Sequence, residues 1–373
     1  QYATFPRLRH GSDSRIPLKN YYVIFERDTS QLCWATRSLL TKKWIMNNFA
    51  VLVRNKLFRT FYVSILKPIY FGRDPEEVHD TITRVGEFLG RRVITRSITS
   101  LFFCFTHPML EQNLLGMHFS NPVGLAAGFD KDALLIDILP HVGFGFEEAG
   151  SITGEPCQGN PKPRLWRLKK SRALVVYYGL KNEGCEKIAA RLRQKKFKIP
   201  IGTNIAKTNS PDTVETEAGV SDYVKAFRQL VDVGHYFTVN ISCPNTFGGE
   251  PFTDPGRLDQ LLFAIDIIPT KKPIFLKLSP DLGEEQLGVI LGVCKRHRVN
   301  GFVCSNLTKI KDPAKISDEI VSLRGGISGK VVEDLSNTQI RFIYNKMGDE
   351  YIIIGCGGIF SAEDAYIKIK AGA

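Results

Sequence analysis

The sequence has no long uninterrupted apolar stretch and no cluster of metal-ligating residues. No run approaches the roughly 18 uncharged apolar residues that a bilayer-spanning helix needs, so the chain is not expected to cross a membrane. Its eight cysteines are scattered, with no Cys-x-x-Cys pair and no Cys/His group at metal-ligand spacing. We therefore predict a reduced cytosolic setting and no metal site.

Acidic residues are scarce at the N-terminal end of the chain. Residues 1–110 hold 17 Lys and Arg but only 8 Asp and Glu, and so carry +9 of the total net charge of +12. A basic segment favours an anionic surface, and charge alone does not choose between a membrane leaflet and a nucleic acid. The other 263 residues carry only +3, so a basic nucleic-acid-binding face on the main domain is not indicated, and no nucleic-acid partner is expected.

Three segments are predicted along the chain. Residues 1–45 are left unassigned, because the chain begins with Gln and this stretch need not be native. Residues 46–110 are predicted to be helical: 46–71 mixes large apolar residues with Arg and Lys and contains no acid, and a second helix begins after Asp74 as N-cap. The first helix is typical of a basic amphipathic helix in a membrane interface, although the same pattern fits a surface helix packed on the protein's own core.

Residues 111–373 are predicted to form the main domain, where short apolar runs alternate with helical stretches. The runs are PVGLAAG, FGFEEAGSIT, IPIGTNIA, YFTVNIS, PIFLKLS, GFVCSNLT and YIIIGCGGI. Near-continuous apolar strands separated by helices indicate a parallel sheet, and this many indicate a (β/α)₈ barrel. Only seven barrel strands are visible, so the eighth strand is expected to be missing from this chain. An insertion at about 157–200 is predicted to form a small hairpin over the barrel mouth.

Polar residues close each of these apolar runs, which is where a (β/α)₈ barrel has its active site. Amides, lysines, glycines and one thiol at successive strand ends suit a large polar heterocycle carrying a phosphate. A single Asn or Ser at such an end could equally be a capping residue. The strongest short motif is Asn240-Ile-Ser-Cys243-Pro-Asn245-Thr, which places two amides and a thiol on one turn, although a free Cys is more often a small buried apolar residue.

Six motifs in order make the sequence resemble the dihydroorotate dehydrogenase family, over about residues 60–373. They are GLAAGFDKD, GSITGEPCQGNPKPRLWRL, NISCPNT, SPDL, GGISGK and IIGCGGI. The segment ILKPIYFGRDPEEVHD also looks like the N-terminal helical pair of the quinone-linked class. The resemblance implies that dihydroorotate is oxidised to orotate by FMN, in pyrimidine biosynthesis, and that the reduced flavin passes its electrons to a quinone.

The resemblance also assigns roles to residues of this chain. Cys243 is implied to be the catalytic base that removes a proton from the substrate. The implied FMN contacts are Ala126, Ala127, Gly128, Lys131, Ser151, Asn204, Asn240, Lys277, Ser305, Gly329 and Gly358. The implied substrate contacts are Lys131, Asn240, Asn245 and Asn306, and His79 and Arg167 match positions that line the quinone tunnel.

The chain departs from the family pattern at several places. The quinone-linked class normally has Ser where this chain has Cys243, whereas Cys is usual in the soluble class, which uses fumarate or NAD. The substrate motif N-R-Y-G-F reads VYYGL at 176–180, so its leading amide is replaced by Val176, and GGEPF stands where Gly-Leu-Arg is usual. Because the family's eighth strand contributes backbone donors to the FMN phosphate, the 373-residue chain is expected to bind flavin weakly or not at all.

The resemblance implies a monomeric peripheral membrane protein that contacts the membrane through residues 46–110. The cytoplasmic side of a bacterial inner membrane is preferred over the mitochondrial inner membrane, because no clear transit peptide precedes Met46. Three alternatives stay open on the sequence: a soluble-class dihydroorotate dehydrogenase, another FMN barrel such as a tRNA dihydrouridine synthase, and a membrane-binding barrel without catalytic activity.

Overall fold

A computed structural model describes residues 50–319, 322 and 324–373. The predictions for residues 1–49 lie outside this part of the chain. Three helices come first: α1 spans 50–71 and includes a π-helical turn at Tyr62–Leu66, α2 spans Pro75–Gly90 and α3 spans Val93–Phe103. The predicted N-cap of α2 is confirmed, because the Asp74 carboxylate accepts hydrogen bonds from the N–H groups of Glu76 and Glu77.

The main domain is built around one curled parallel sheet of seven strands. The strands are β3 (Gly124–Leu125), β4 (Phe146–Ile152), β7 (Ile201–Ile205), β8 (Tyr236–Asn240), β9 (Ile274–Leu278), β10 (Gly301–Cys304) and β12 (Ile352–Gly355). They pair in the order in which they occur along the chain, and every pairing is parallel. The predicted barrel type and its seven strands are thus confirmed, and β3 and β12 are the two edges of this sheet.

Seven further helices surround the sheet on its outer side. They are α4 (Leu139–Val142), α5 (Cys185–Arg193), α6 (Thr216–Leu230), α7 (Pro255–Asp266), α8 (Glu284–Cys294), α9 (Glu333–Met347) and α10 (Ala362–Ala371). The main core lies between these helices and the strands, where for example the ring of Phe227 on α6 stacks on Phe237 of β8 at 4.0 Å between centroids. Burying each such side chain contributes about 1.5–3 kcal/mol, which explains why the strand face toward the helices is apolar.

A small antiparallel sheet stands over the strand ends. Strands β5 (Leu165–Leu168) and β6 (Ala173–Val176) form the hairpin predicted for the insertion, and β11 (Gly326–Gly329) adds to β6 as a third strand. A two-stranded hairpin, β1 (Gln112–Leu114) and β2 (Met117–Phe119), precedes the barrel. None of the helices in the described part of the chain has both the length and the apolar content required to traverse a bilayer.

Candidate active site

One large cavity, of about 1930 Å³, opens at the carboxyl ends of the barrel strands. It runs from the N-terminal helices, at Phe71 and His79, down to apolar side chains inside the sheet such as Tyr236 and Phe275. A typical ligand pocket occupies about 300–1,000 Å³. This cavity is larger; the edge strands β3 and β12, which do not pair with each other in the described part of the chain, both line it.

Nearly all the residues implicated by the sequence line this cavity. They are His79, Ala126, Ala127, Gly128, Lys131, Ser151, Arg167, Asn240, Cys243, Asn245, Lys277, Ser305, Asn306, Gly329 and Gly358. Asn204 is the exception: it is fully buried beneath the wall, where its Oδ1 accepts a hydrogen bond from the Ser151 hydroxyl and its Nδ2 donates to Glu148 at 3.2 Å. Asn204 therefore holds Ser151 in place from below.

The amides at the ends of β8 and β10 form one connected network. Asn240 donates through Nδ2 to the Ser151 hydroxyl at 2.9 Å, and its Oδ1 accepts from Asn306 Nδ2 at 3.2 Å. Asn306 also donates to the carbonyl of Ser242 at 2.7 Å. Because each side chain is held by its neighbours, the polar face that they present to the cavity is fixed in advance of ligand binding.

Cys243 lies three residues past the end of β8, and its side chain is partly exposed to the cavity. Burial raises the pKa of its thiol to about 11, with Glu250 adding to the increase and Lys207 and Lys277 opposing it. The thiol is therefore protonated at neutral pH in the absence of ligands. A base at this position gains strength from any positive charge that faces the sulfur.

Two lysines, the buried Lys277 and the half-buried Lys131, face the same cavity from different strand ends. Lys277 on β9 is 4% exposed, and within the described part of the chain its ammonium has no hydrogen-bond or ion-pair partner. Burial, reinforced by the charge of Lys181, lowers the pKa of Lys131 to about 8. The Lys131 ammonium lies 3.4 Å from His79 Nε2 and 4.2 Å from the ring centroid of Tyr178. Two incompletely paired cations favour an anionic ligand between them.

Helix α2 is clamped to the strand-end hairpin by a buried ion pair. Glu76 accepts two hydrogen bonds from Arg164, from Nη2 at 2.8 Å and from Nε at 3.0 Å, and both side chains are 5% exposed or less. One turn further along α2, His79 Nε2 donates to the carbonyl of Phe129 at 2.8 Å. The N-terminal helices therefore form part of the wall beside Lys131.

Arg167 lies on the other side of the helix–barrel junction. Its Nη1 donates to the carbonyl of Arg73 at 2.8 Å, and its guanidinium lies 5.0 Å from the ring centroid of Phe71. His79 and Arg167 therefore line the cavity together with residues of α1, such as Tyr62 and Phe71.

Sequence reasoning missed three residues beside the site. Tyr178 packs against both Lys131 and Arg164, Lys181 lines the cavity, and Lys207 lies behind Cys243. A signal was present for the first two, because both belong to the same VYYGLK stretch that carries Val176. Val176 lines the cavity with an apolar side chain, and its carbonyl instead accepts a hydrogen bond from Asn245 Nδ2 at 2.8 Å.

Comparison with known proteins agrees with this geometry. The family profile described as "Dihydroorotate dehydrogenase" matches residues 109–373. The chain belongs to the dihydroorotate dehydrogenase family. The resemblance in the sequence is thereby confirmed, and the alternative of a tRNA-modifying FMN barrel is set aside.

Curated relatives within the family carry a more specific name. A protein from Nostoc sp. (strain PCC 7120), named dihydroorotate dehydrogenase (quinone), is 39% identical over 335 residues, covering 84% of this chain and 87% of the relative. One of the same name from Christiangramia forsetii is 38% identical over 317 residues, covering 84% and 91%. Among solved structures, DHODH from Eimeria tenella in complex with ferulenol superposes with a TM-score of 0.70 at 27% identity, over 80% of this chain and 84% of that one.

Proposed function

We propose that this chain oxidises dihydroorotate to orotate with FMN and passes the electrons to a membrane quinone, as a step of pyrimidine biosynthesis. The observation that supports it best is the position of Cys243. Its thiol lies in the wall of a cavity that also contains Lys131, Lys277 and the amide network of Asn240 and Asn306. The relatives named dihydroorotate dehydrogenase (quinone) support the choice of acceptor.

The cavity has polar groups that fit FMN. The Ser305 hydroxyl is buried without a hydrogen-bond partner in the described part of the chain, and the Lys277 ammonium likewise lacks one. A Cβ added at Gly128 would meet no atom within 4 Å, which leaves room for a planar ring against the backbone there. The proposed cofactor contacts are Ala126, Ala127, Gly128, Lys131, Ser151, Asn240, Lys277, Ser305, Gly329 and Gly358, with Asn204 acting through Ser151. FMN would supply the acceptor for a hydride and the route by which its two electrons reach the quinone.

The side chains of this chain then bind the substrate and move a proton. We assign the substrate carboxylate and imide to the Lys131 ammonium and to the amides of Asn240, Asn245 and Asn306. The thiolate form of Cys243 accepts the proton from C5 of dihydroorotate while the C6 hydrogen leaves as hydride, so that a C5–C6 double bond forms. The fixed amide network limits the motion of the substrate ring and holds C5 facing the sulfur.

The N-terminal helices are proposed to dock on the membrane and to admit the quinone. Leu52 and Leu57 on α1 are each 66% exposed and Ile94 on α3 is 73% exposed, while Arg54 and Lys56 add positive charge nearby. This combination suits an anionic lipid surface. We propose a monomer attached to the cytoplasmic side of a bacterial inner membrane, with the quinone entering past His79 and Arg167.

The acceptor can be tested directly with the purified, FMN-loaded chain. Dihydroorotate oxidation is measured with a soluble quinone analogue, with fumarate and with NAD, and the variant Cys243→Ala serves as the inactive control. We expect turnover with the quinone analogue to exceed turnover with either of the others. Because Cys243 resembles the base of the soluble class, equal rates with fumarate would contradict the quinone assignment, and no oxidation with any acceptor would contradict the reaction itself.

Membrane docking is tested separately by vesicle sedimentation. The double variant Leu52→Glu/Leu57→Glu is compared with the native chain on vesicles containing anionic lipid. Both side chains project into solvent, so the variant should keep its fold and its oxidation of dihydroorotate with a soluble acceptor. We expect it to lose vesicle binding; undiminished binding would refute this surface as the docking site.

A further inference from the structure

Lys207 is a buried ammonium that the proposed reaction does not use. It follows β7 by two residues, is 3% exposed, and donates to the Thr213 hydroxyl at 3.2 Å and to the carbonyl of Phe247 at 2.9 Å. Both acceptors are neutral. The acid that faces it, Asp222 on α6, already accepts hydrogen bonds from the Thr208 N–H and hydroxyl. The positive charge of a buried lysine that contacts no carboxylate is not neutralised, so it interacts electrostatically with other nearby groups.

The neighbour that shares its space is Cys243. Both residues line a second, small cavity of about 10 Å³, together with Tyr223 and Thr246. That volume is roughly the room needed by a single water molecule. Cys243 therefore lines both cavities: the large one, with Lys277 and the substrate contacts, and the small one, with Lys207.

We propose, on the basis of the function proposed above, that Lys207 is a positioning residue that acts through Cys243 by stabilising its thiolate from the small cavity that the two residues share. The charged groups that face the sulfur are Lys207 on the loop after β7, Lys277 on β9 and Glu250 after the turn. Burial and Glu250 raise the pKa of the thiol, and the two lysines lower it. Lys277 is already assigned to the cofactor, which leaves Lys207 as the cation available to the base.

The identity of the base makes this charge consequential. Burial and Glu250 raise the pKa of the Cys243 thiol to about 11, above the value of about 8.5 for a free thiol, so the thiolate is a small fraction at working pH and a nearby cation increases that fraction. A serine hydroxyl at the same position would not ionise in that range, and Lys207 would then serve only to brace the turn through the Phe247 carbonyl. The electrostatic role and the bracing role therefore predict different results.

The two roles are separated by the pH dependence of Cys243 alkylation. The substrate-free holoenzyme is treated with iodoacetamide at a series of pH values, and modification of the Cys243 peptide is followed by mass spectrometry. Lys207→Met removes the charge, Lys207→Arg keeps it, and Thr213→Val removes one of the two bracing hydrogen bonds while leaving the charge in place. We expect Lys207→Met to react about tenfold more slowly at a fixed pH below the thiol pKa, and the other two variants to follow the native profile.

Two results would overturn the proposal: an unchanged alkylation profile in Lys207→Met, or an equal shift in Thr213→Val. Should Lys207→Met fail to fold, Lys207→Gln provides the same neutralisation. A kinetic readout is the pH profile of flavin reduction, which we expect Lys207→Met to shift in the native background but not in a Cys243→Ser background. Alkylation requires no turnover, so it reports on Lys207 even if the chain does not oxidise dihydroorotate.

Discussion

The ion pair between Glu76 and Arg164 should be a principal link between the N-terminal helices and the barrel. Removing one member of a buried pair leaves the other charge unpaired, which costs about 3–5 kcal/mol. Arg164 keeps two hydrogen bonds, to the carbonyls of Gln158 and Asn160. We therefore expect Glu76→Gln to reduce the free energy of unfolding by about 3 kcal/mol, at the lower end of that range.

The matched control is Glu77→Gln. Glu77 follows on the same first turn of α2 but is exposed, so its charge interacts with the helix dipole and with little else. Its replacement should change the free energy of unfolding by less than about 1 kcal/mol. Urea unfolding of the two variants and the native chain measures the difference. Equal losses in the free energy of unfolding for Glu76→Gln and Glu77→Gln would refute the stabilising role of the Glu76–Arg164 ion pair.

The pH dependence gives a second check on the same pair. Burial alone would raise the pKa of Glu76, but Arg164, with help from Lys162, outweighs it and holds the pKa below its ordinary value of 4.5. A carboxyl with a lowered folded-state pKa contributes stability above its unfolded pKa and loses it as pH falls through the folded one. The difference in the free energy of unfolding between the native chain and Glu76→Gln should thus have its full value at pH 7 and decrease below about pH 4.5.

Three further predictions concern the site. Cys243→Ala should slow flavin reduction by about 10²–10⁴-fold, because that is the usual contribution of a general base, and FMN should stay bound. A rate of flavin reduction within threefold of the native rate in a stopped-flow measurement would rule out the thiol as the base. In the native chain the KM for dihydroorotate should rise as pH increases past about 8, because Lys131 then loses its charge, and Lys131→Met should abolish this rise; a native KM independent of pH from 7 to 9 would contradict the role of Lys131. Lys277→Met should weaken FMN binding about tenfold by equilibrium titration, since the variant loses one charge-assisted hydrogen bond to the cofactor; native affinity would remove Lys277 from the cofactor contacts.

The strands and their polar ends could be predicted because the signal for each is local. A parallel strand covered on both faces reads as an apolar run, and the residue that closes the run lies at the cavity, as Ser151 and Lys277 do. How far a strand-end residue lies below the cavity wall, however, depends on how its strand pairs with its neighbours, and the local sequence does not reveal this. Asn204 closes an equivalent run but lies below the wall, because the register of β4 against β7 shifts between Gly150 and Ile152 and leaves Ser151 above it.

Pairings between residues far apart in the chain could not be predicted from the sequence either. The third strand of the small sheet, β11, pairs with β6 although about 150 residues separate them, and Glu76 pairs with Arg164 across 88 residues. The composition of these segments does not identify their partners, since a short strand, an acidic first helical turn such as that around Glu76 and a basic stretch such as that around Arg164 each fit many environments. Lys207 was missed for the same reason: its proximity to Cys243 depends on how two strand-end loops pack.

Helix α2 belongs to the substrate site as much as to the membrane segment. Glu76 holds the strand-end hairpin, and one turn later His79 lies against both the Phe129 carbonyl and the Lys131 ammonium. Deleting residues 46–110 would therefore remove a wall of the substrate site, and loss of activity with every acceptor would say nothing about quinone. Substitutions on α1 that leave α2 intact isolate the membrane and quinone functions, because α1 lines the cavity through Tyr62, Lys67, Tyr70 and Phe71, whereas the contacts of the Lys131 ammonium are with His79 of α2 and with Tyr178.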